Sequence, residues 1–489
     1  MLEACGKRRD LAPTMRYIDL AVVAIYLAGI TWFGAHFRSG QKSLRDYFLG
    51  GRTAPWWALS LSIVSAETST LTVIGTPALA FRGNLGFLQI VAGYLLARLV
   101  IVALFLPQYF RGEMFTAYEL MRRRFGERVR RLTAGIFLVT RVLAEGVRVF
   151  AVSLVVSIIL GTGEVWSIVL IVLLTVFYTF EGGMTAVIWT DVVQMTIYIV
   201  GAAVSFFVIL GKIPGGWPHV AAMAGGAHKF AIFDFRFAPT MEFFSRTYTF
   251  WSGVAGGCFL TMASHGTDQL MVQRLLSARN EAQSRAALLA SWVVIAFQFT
   301  LFLLIGVLLW VYYRDFGIAA PAAMDRIYPA FLWRELPPGL AGLSVAAILA
   351  AAMANLSAAL NALASTWVVD FLHGAGLKQA RKATIAWAAV LLGIGIASRH
   401  SHSVLEAGLT IASIPFGALL GIFLLGILTE KPREAAGIAG VVAGLAAVLA
   451  VHFLTPVAWT WYVLIGTVVT FSSGWMAAQF QNHPQGENK

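Results

Sequence analysis

The chain has 489 residues, of which 58% are hydrophobic and only 12% are charged. Soluble domains are about 25% charged, so most of the surface of this chain cannot face water. The composition excludes an ordinary soluble enzyme, a disordered protein and a disulfide-stabilised scaffold. The net charge of +12 does not indicate nucleic-acid binding, because lysine and arginine lie in short clusters between apolar runs. Such clusters are typical of the loops that set the orientation of a membrane protein.

A search for apolar runs of about 20 residues, the length of a membrane-spanning helix, gives thirteen candidates. They are 17–37, 54–80, 86–108, 129–160, 163–181, 186–211, 247–272, 287–313, 338–370, 383–398, 403–428, 434–454 and 457–480. No linker divides them, so we predict an all-α polytopic membrane protein with one transmembrane domain over 17–480 and tails at 1–16 and 481–489. The first run lacks a small-residue cleavage site, which favours a transmembrane helix over a signal peptide.

The basic residues of the connections predict the orientation. Connections after runs one, three, seven, nine and eleven hold 19 lysines and arginines, and the alternate connections hold nine. Because basic loops stay in the cytoplasm, we expect a multi-pass protein of the cell membrane with its N-terminus outside and its C-terminal tail cytoplasmic. The aromatic-rich connection 212–246 then lies outside, either as a loop with short interfacial helices or as a lid over a binding site.

Two runs combine polar residues with helix breakers. The second holds seven hydroxyl residues and Glu67 between Ser60 and Thr72, and then Gly75 and Pro77. The seventh holds Gly253, Gly256 and Gly257, followed by Thr261, Ser264, His265, Gly266 and Asp268. The two runs stand five apart, so they cross the bilayer in opposite directions. Close helix packing explains any single hydroxyl, but paired interruptions in inverted repeats are typical of the midplane site of a transporter.

Polar groups also occur in the ninth, sixth and fourth runs. Asn355 and Ser357 lie among alanines in the ninth run, where small residues allow another helix to approach. Asp191 lies a turn or two inside the sixth run, and a carboxylate there is costly unless it is paired, solvated or bound to an ion.

The fourth run carries Arg141, Glu145 and Arg148 at spacings of four and three, which places them on one helical face. Two cations and one anion leave an excess positive charge. This charge either binds the carboxylate of a solute or belongs to an internal salt-bridged cluster, and the sequence leaves both possibilities open.

Several segments in a consistent order resemble the sodium:solute symporter family. The matching segments are DYFLGGRTAPWW at 46–57, GGMTAVIWTDVVQ at 182–194, LIGVLL at 304–309 and ASIPFGALLGIFLLG at 412–426. The segment IGTPA at 74–78 is similar to the branch that transports monocarboxylates, vitamins and iodide. The resemblance implies a LeuT-type core of two inverted five-helix repeats, at about 54–211 and 247–428, with one helix before it and two after it.

The resemblance also implies a sodium site. The matching positions are Ser65, Thr68, Ala351 and Asn355. This chain has Ala354 and Asn355 where the family has two adjacent hydroxyl residues, so one hard oxygen ligand is lost. A weaker sodium site, a different coupling ion and a water in the gap all remain open. Asp191 matches an aspartate that is associated with cation coupling in some members, and Ser357 matches a residue that can contribute to a second sodium site.

The solute positions implied by the resemblance are Thr72, Thr261 and Ser264, with His265 beside them. Ser264 replaces an aromatic gate, so stacking on a sugar is not expected at this point. Members that bind acidic sugars use an arginine in the fourth run, and Arg148 lies one turn from the matching position, Ala144.

We therefore predict a sodium-coupled symporter without a cofactor that imports a small organic anion, such as a carboxylate, by alternating access. The alternatives are a sodium-coupled sugar or amino-acid symporter and a membrane solute sensor that does not transport. An intramembrane enzyme that uses His265 and Asp268 is disfavoured, because no third catalytic partner or metal motif accompanies them. The expected partners are the solute, the sodium ion and the lipid bilayer, and not nucleic acid.

Overall fold

A computed structural model describes residues 17–481 except 161–162, 239, 322–323, 373–374 and 399–403. Within these residues the chain is helical and contains no β-strand. The helices are α1 Tyr17–Ala35, α2 Leu44–Leu49, α3 Trp56–Glu67, α4 Thr70–Arg82, α5 Leu88–Val100, α6 Leu106–Tyr109, α7 Tyr118–Phe125, α8 Glu127–Leu160, α9 Glu164–Lys212, α10 Gly216–Gly226, α11 Met241–Ser245, α12 Phe250–Gly266, α13 Gln269–Leu276, α14 Glu281–Asp315, α15 Ile327–Glu335, α16 Leu340–Thr366, α17 Leu377–Ala397, α18 Val404–Leu428, α19 Glu434–Leu454 and α20 Tyr462–Gln481.

Each predicted apolar run coincides with one helix, with part of a longer helix or with consecutive helices. Helix α9 covers two runs and is interrupted at Gly183, whose φ of 53° and ψ of −149° suit glycine. Among the described residues, eight helices are long and apolar enough to span a membrane, and the bent pair α3–α4 makes a ninth. The all-helical fold is confirmed, and the crossing of the bilayer by all thirteen runs stays a prediction.

Connections that are predicted to share one side of the membrane contact each other. At the basic end the contacts are Arg45 with Glu113, Arg124 with the carbonyl of Thr429, and Arg130 with Asp370. At the opposite end they are Lys229 with the carbonyl of Gly83, Lys212 with Glu335, and His219 with Asp315. The connection after α9 also contains the two short helices α10 and α11. These contacts agree with spans that alternate in direction.

The first broken helix bends by 65° between α3 and α4. The bend lies at Thr68 and Ser69. The sequence pattern indicates a later break, at Gly75 and Pro77. Ser69 caps α4 in a capping box with Thr72, and the Thr68 hydroxyl donates to the carbonyl of Val64 at 2.8 Å. Pro77 lies inside α4. Hydroxyl groups that satisfy backbone atoms therefore make this break, since they replace the helical hydrogen bonds that are lost there.

The second break lies between α12 and α13, where the Asp268 carboxylate accepts a hydrogen bond from the backbone nitrogen of Leu270 at 2.9 Å. The glycines of α12 do not form this break. A Cβ on Gly257 would collide with the carbonyl of Ile90 in α5, so these glycines allow close helix packing.

The two broken helices run in opposite directions through the molecule. Helix α3 begins at the basic end, and α12 begins at the other end, where the Phe250 nitrogen donates to the carbonyl of Asp234 at 2.8 Å. Their breaks meet in the middle beside α16, which is buried along nearly its whole length. This arrangement places polar groups from several helices around one internal space.

Candidate functional site

A cavity of about 110 Å³ lies where the two breaks meet. Residues from α3, α8, α12, α13 and α18 line it. Its polar and charged lining consists of Glu67, Thr140, Arg141, Arg148, Ser264, His265 and Asp268. Leu270, Met271 and Phe416 add apolar surface. An internal cavity in which polar groups from several helices converge is a candidate site for a small molecule.

One end of the cavity is organised around Glu67. Its Oε2 lies 2.9 Å from Nη2 of Arg98 and 3.3 Å from Nε2 of His265. Arg98 is fully buried and also donates to the Ser291 hydroxyl at 3.1 Å. Nδ1 of His265 lies 2.9 Å from the Ser264 hydroxyl. The hydrogen bonds to Arg98 and Ser264 orient the carboxylate and the imidazole, and the two groups approach each other to 3.3 Å.

The other end contains the helical face predicted on α8. Glu145 lies 3.1 Å from Nη1 of Arg141 and 2.6 Å from Nη1 of Arg148. Arg141 also pairs with Asp268 from the second break. The internal cluster left open by the sequence is therefore present, and Asp268 supplies an anion that the pattern along α8 alone does not include.

Arg148 is the most accessible cation of this cluster. Its side chain is 26% exposed, compared with 10% for Arg141. Its Nη1 is bonded to Glu145 and lies 3.5 Å from Oδ1 of Asn355. Within the part of the chain that the structure describes, Nε and Nη2 of Arg148 make no hydrogen bond. This is the edge of a guanidinium that pairs side-on with a carboxylate.

The predicted sodium residues meet where α3 ends against α16. Nδ2 of Asn355 donates to the Thr68 carbonyl at 2.7 Å. The Thr68 hydroxyl also accepts from Nε2 of Gln298 at 2.7 Å. Ser65 and Ala351 are fully buried, and the phenol of Tyr198 lies beside the hydroxyls of Ser65 and Thr68. The structure thus brings Thr68 and Asn355 into direct contact.

Asp191 is paired with a cation of the protein. Its Oδ2 lies 2.8 Å from Nη2 of Arg274 and accepts from the Ser62 hydroxyl at 2.6 Å. Its Oδ1 is buried and accepts no hydrogen bond among the described residues. Ser357 donates to the carbonyl of Ala354 in its own helix at 3.0 Å. Arg274 is one of the basic residues that follow the seventh apolar run, and it is fully buried. The sequence does not predict this burial, because a single charge at the end of an apolar run normally sets orientation.

The predicted solute residues divide into two groups. Ser264, His265 and Arg148 line the cavity. Thr72 belongs to the capping box of α4, and Thr261 is buried in α12 with its carbonyl accepting from the Ser264 hydroxyl at 3.4 Å. Neither threonine lines the cavity in this structure. Glu67 and Asp268 line it without having been assigned to the solute site, although their charge inside apolar runs was a signal for both.

Comparison with known proteins gives consistent matches over most of the chain. The model of the sodium:solute symporter family matches residues 47–444. The human sodium/iodide cotransporter is 29% identical over 89% of this chain and 69% of its own length. Sodium-coupled monocarboxylate transporter 2 of Bos taurus is 28% identical over 92% and 75%. A substrate-bound, outward-open structure of a Na⁺-coupled sialic acid symporter is 27% identical, with a TM-score of 0.86 and coverage of 95% and 98%.

Proposed function

Since this chain belongs to the sodium:solute symporter family and is a sodium-coupled symporter of a small solute, not an enzyme, we propose that its solute is a small organic anion such as a carboxylate. The open edge of Arg148 in the cavity is the observation that carries this proposal. Two parallel N–H donors on one edge match the two oxygens of a carboxylate. The Glu145 carboxylate and the Asn355 oxygen hold the opposite side of the guanidinium and so aim this edge.

The charge of the site supports an anion that enters together with sodium. The cluster contains three arginines and three carboxylates, and it is neutral when His265 is uncharged. Its members are Arg98, Arg141, Arg148, Glu67, Glu145 and Asp268. An added ion of one sign would leave an uncompensated charge in a low-dielectric interior, which is costly. A sodium ion and a monovalent anion together preserve neutrality.

The named solutes of the relatives point in the same direction. Iodide, monocarboxylates and sialic acid are all anions at neutral pH, and they belong to proteins that are 27–29% identical to this chain. For this chain the proposed solute contacts are Arg148, Ser264 and His265. Thr72 and Thr261 join them only if α4 or α12 moves during transport.

We place the coupling ion at the end of α3, with Ser65, Thr68, Ala351 and Asn355, and we keep Asp191 and Ser357 as a second candidate site. The carbonyl end of a helix carries partial negative charge and favours a cation. We place the basic end of the molecule in the cytoplasm, with the N-terminus outside the cell membrane. A sodium ion that binds one arrangement of the broken helices more tightly shifts the equilibrium toward that arrangement.

Uptake into proteoliposomes tests this function. Purified protein is reconstituted, and an inward sodium gradient is imposed without ATP, with a potassium gradient as the control. The panel contains small carboxylates, inorganic anions, neutral sugars and zwitterionic amino acids. We expect sodium-dependent uptake of a carboxylate and its loss in Arg148→Gln. Sodium-dependent uptake of sugars alone would refute the anion, and solute binding without uptake would indicate a sensor.

A second candidate solute, a zwitterionic amino acid, rests on Glu67. Its side chain is 14% exposed and lines the same cavity as Arg148. An amine near Glu67 and a carboxylate near Arg148 would both find a partner of opposite charge. The anion is favoured because the carboxylate of Glu67 is already shared by Arg98 and His265. Preference for the amino acid over its deaminated analogue in the same panel would reverse this order.

A further inference from the structure

The guanidinium of Arg148 lies between the proposed solute cavity and the proposed sodium residues. It lines the larger cavity together with Ser264 and His265. It also lines a second cavity of about 10 Å³ with Ser69, Thr70 and Asn355, next to the end of α3. One side chain therefore contacts both sites.

The amide of Asn355 has its orientation fixed by two neighbours. Its nitrogen donates to the Thr68 carbonyl at 2.7 Å, and its oxygen faces Nη1 of Arg148 at 3.5 Å. Ala354 has no side-chain oxygen. Of the two positions where the family resemblance implies adjacent hydroxyls, only Asn355 carries a side-chain oxygen, and an internal cation already contacts it.

A sodium ion and a guanidinium cannot share this oxygen at low cost. Both carry a full positive charge, and repulsion at contact distance inside a protein is strong. The Arg148 side chain has a direction in which to move, because it is 26% exposed and itself lines the larger cavity. Its partner Glu145 also pairs with Arg141 of that cavity, so a short shift toward the cavity keeps Arg148 beside Glu145 and brings the open edge closer to a solute.

We propose that Arg148 couples the two sites by exchanging its contact with the Asn355 oxygen for a contact with the anionic solute. Sodium binding at Asn355 displaces the guanidinium toward the cavity, where it binds the anionic solute. A bound solute holds the guanidinium there and leaves the Asn355 oxygen free for sodium. This inference rests on the proposed function, and reciprocity requires that each ligand raises the affinity for the other by the same factor.

Sodium binding measured without solute tests the exchange. Full-length protein in detergent is titrated with sodium chloride against choline chloride at constant ionic strength, and thermal stabilisation gives the half-saturating sodium concentration. In Arg148→Gln this concentration is expected to fall by at least about fivefold, the lower end of typical coupling between two sites. In Arg148→Lys, which keeps the charge, a much smaller change is expected.

Arg141→Gln is the matched control, because Arg141 bonds the same Glu145 but not Asn355. An equal fall in both glutamine variants would indicate general electrostatics and overturn the exchange, as would an unchanged or higher concentration in Arg148→Gln. If Arg148→Gln does not fold, Asn355→Ser replaces it, since serine keeps an oxygen but does not reach the guanidinium. Tighter sodium binding is then expected, and unchanged binding overturns the inference. Wild-type protein without any sodium response would instead refute the proposed sodium site.

Discussion

The buried pair of Asp191 and Arg274 makes a quantitative prediction about stability. Both side chains are inaccessible to solvent, and the two charged atoms are 2.8 Å apart. Arg274 also donates to the Ser62 hydroxyl at 2.8 Å and to the Leu270 carbonyl at 2.8 Å, which ties α13 to α3. Water cannot replace a partner that is removed from such a place. Removing one member of a buried pair leaves an uncompensated charge and costs about 3–5 kcal/mol.

Asp191→Ala and Arg274→Met are therefore each expected to lower the free energy of unfolding by about 3–5 kcal/mol. The double variant removes both charges and is expected to cost no more than either single change. The measurement is unfolding in mixed detergent–SDS micelles, followed by tryptophan fluorescence and circular dichroism. The pair Glu281–Arg285 is the control: its separation is 2.9 Å but its side chains are 34% and 51% exposed. Breaking that surface pair is expected to cost less than about 1 kcal/mol.

Additivity would refute the reasoning about the Asp191–Arg274 pair. If the double variant loses the sum of the two single losses within about 0.5 kcal/mol, the two charges do not stabilise each other. A loss below about 1 kcal/mol in both single variants would show that solvent or another group compensates the remaining charge.

Three further substitutions test the geometry around the first break. Asn355→Ala is expected to raise the half-saturating sodium concentration about fivefold, because it removes an oxygen ligand worth about 1 kcal/mol. Ser344→Ala in the same helix is the control. An unchanged sodium concentration in Asn355→Ala would exclude Asn355 from the site. Ser69→Ala is expected to destabilise the protein by about 1 kcal/mol through loss of the cap of α4, and an unaltered melting temperature would contradict that role. Gly306→Val is expected to cost about 1–3 kcal/mol by overpacking, since its Cβ would collide with the carbonyl of Pro77. Gly393→Val is its control, because an added Cβ there meets no neighbouring helix within 4 Å. Equal melting temperatures of the two variants would refute the packing argument.

The helices were predictable because a membrane imposes a length. A span needs about 20 apolar residues, so the runs coincide with helices such as α14 and α19 without knowledge of their partners. The broken helices were also predictable, because hydroxyls, glycines and charges within an apolar run are unusual. The position of the first break was not predictable in the same way. Gly75 and Pro77 are the stronger breakers by propensity, but the capping by Ser69 decides where α4 begins.

The sequence pattern does not predict which charged side chains from distant segments pair with each other. The spacing on α8 predicts that Arg141 and Arg148 flank Glu145, since all three lie on one helical face. It does not predict that Asp268, 127 residues further along the chain, pairs with Arg141. The same applies to Arg274, whose partner Asp191 precedes it by 83 residues. Tertiary packing chooses these partners, and a single sequence carries no signal for that choice.

The carboxylates around the breaks impose a condition on how sodium is bound. Each of them already has an arginine partner in the described structure. The pairs are Glu67 with Arg98, Asp191 with Arg274, Asp268 with Arg141, and Glu145 with Arg148. Sodium proposed at the end of α3 would then depend mainly on neutral oxygens, namely carbonyls and the amide of Asn355. Such oxygens attract a cation through the dipole of α3, which is effective only at the helix end. Ion affinity would therefore depend on how α3 lies against α16, and that dependence gives sodium the unequal affinity for two arrangements that alternating access needs.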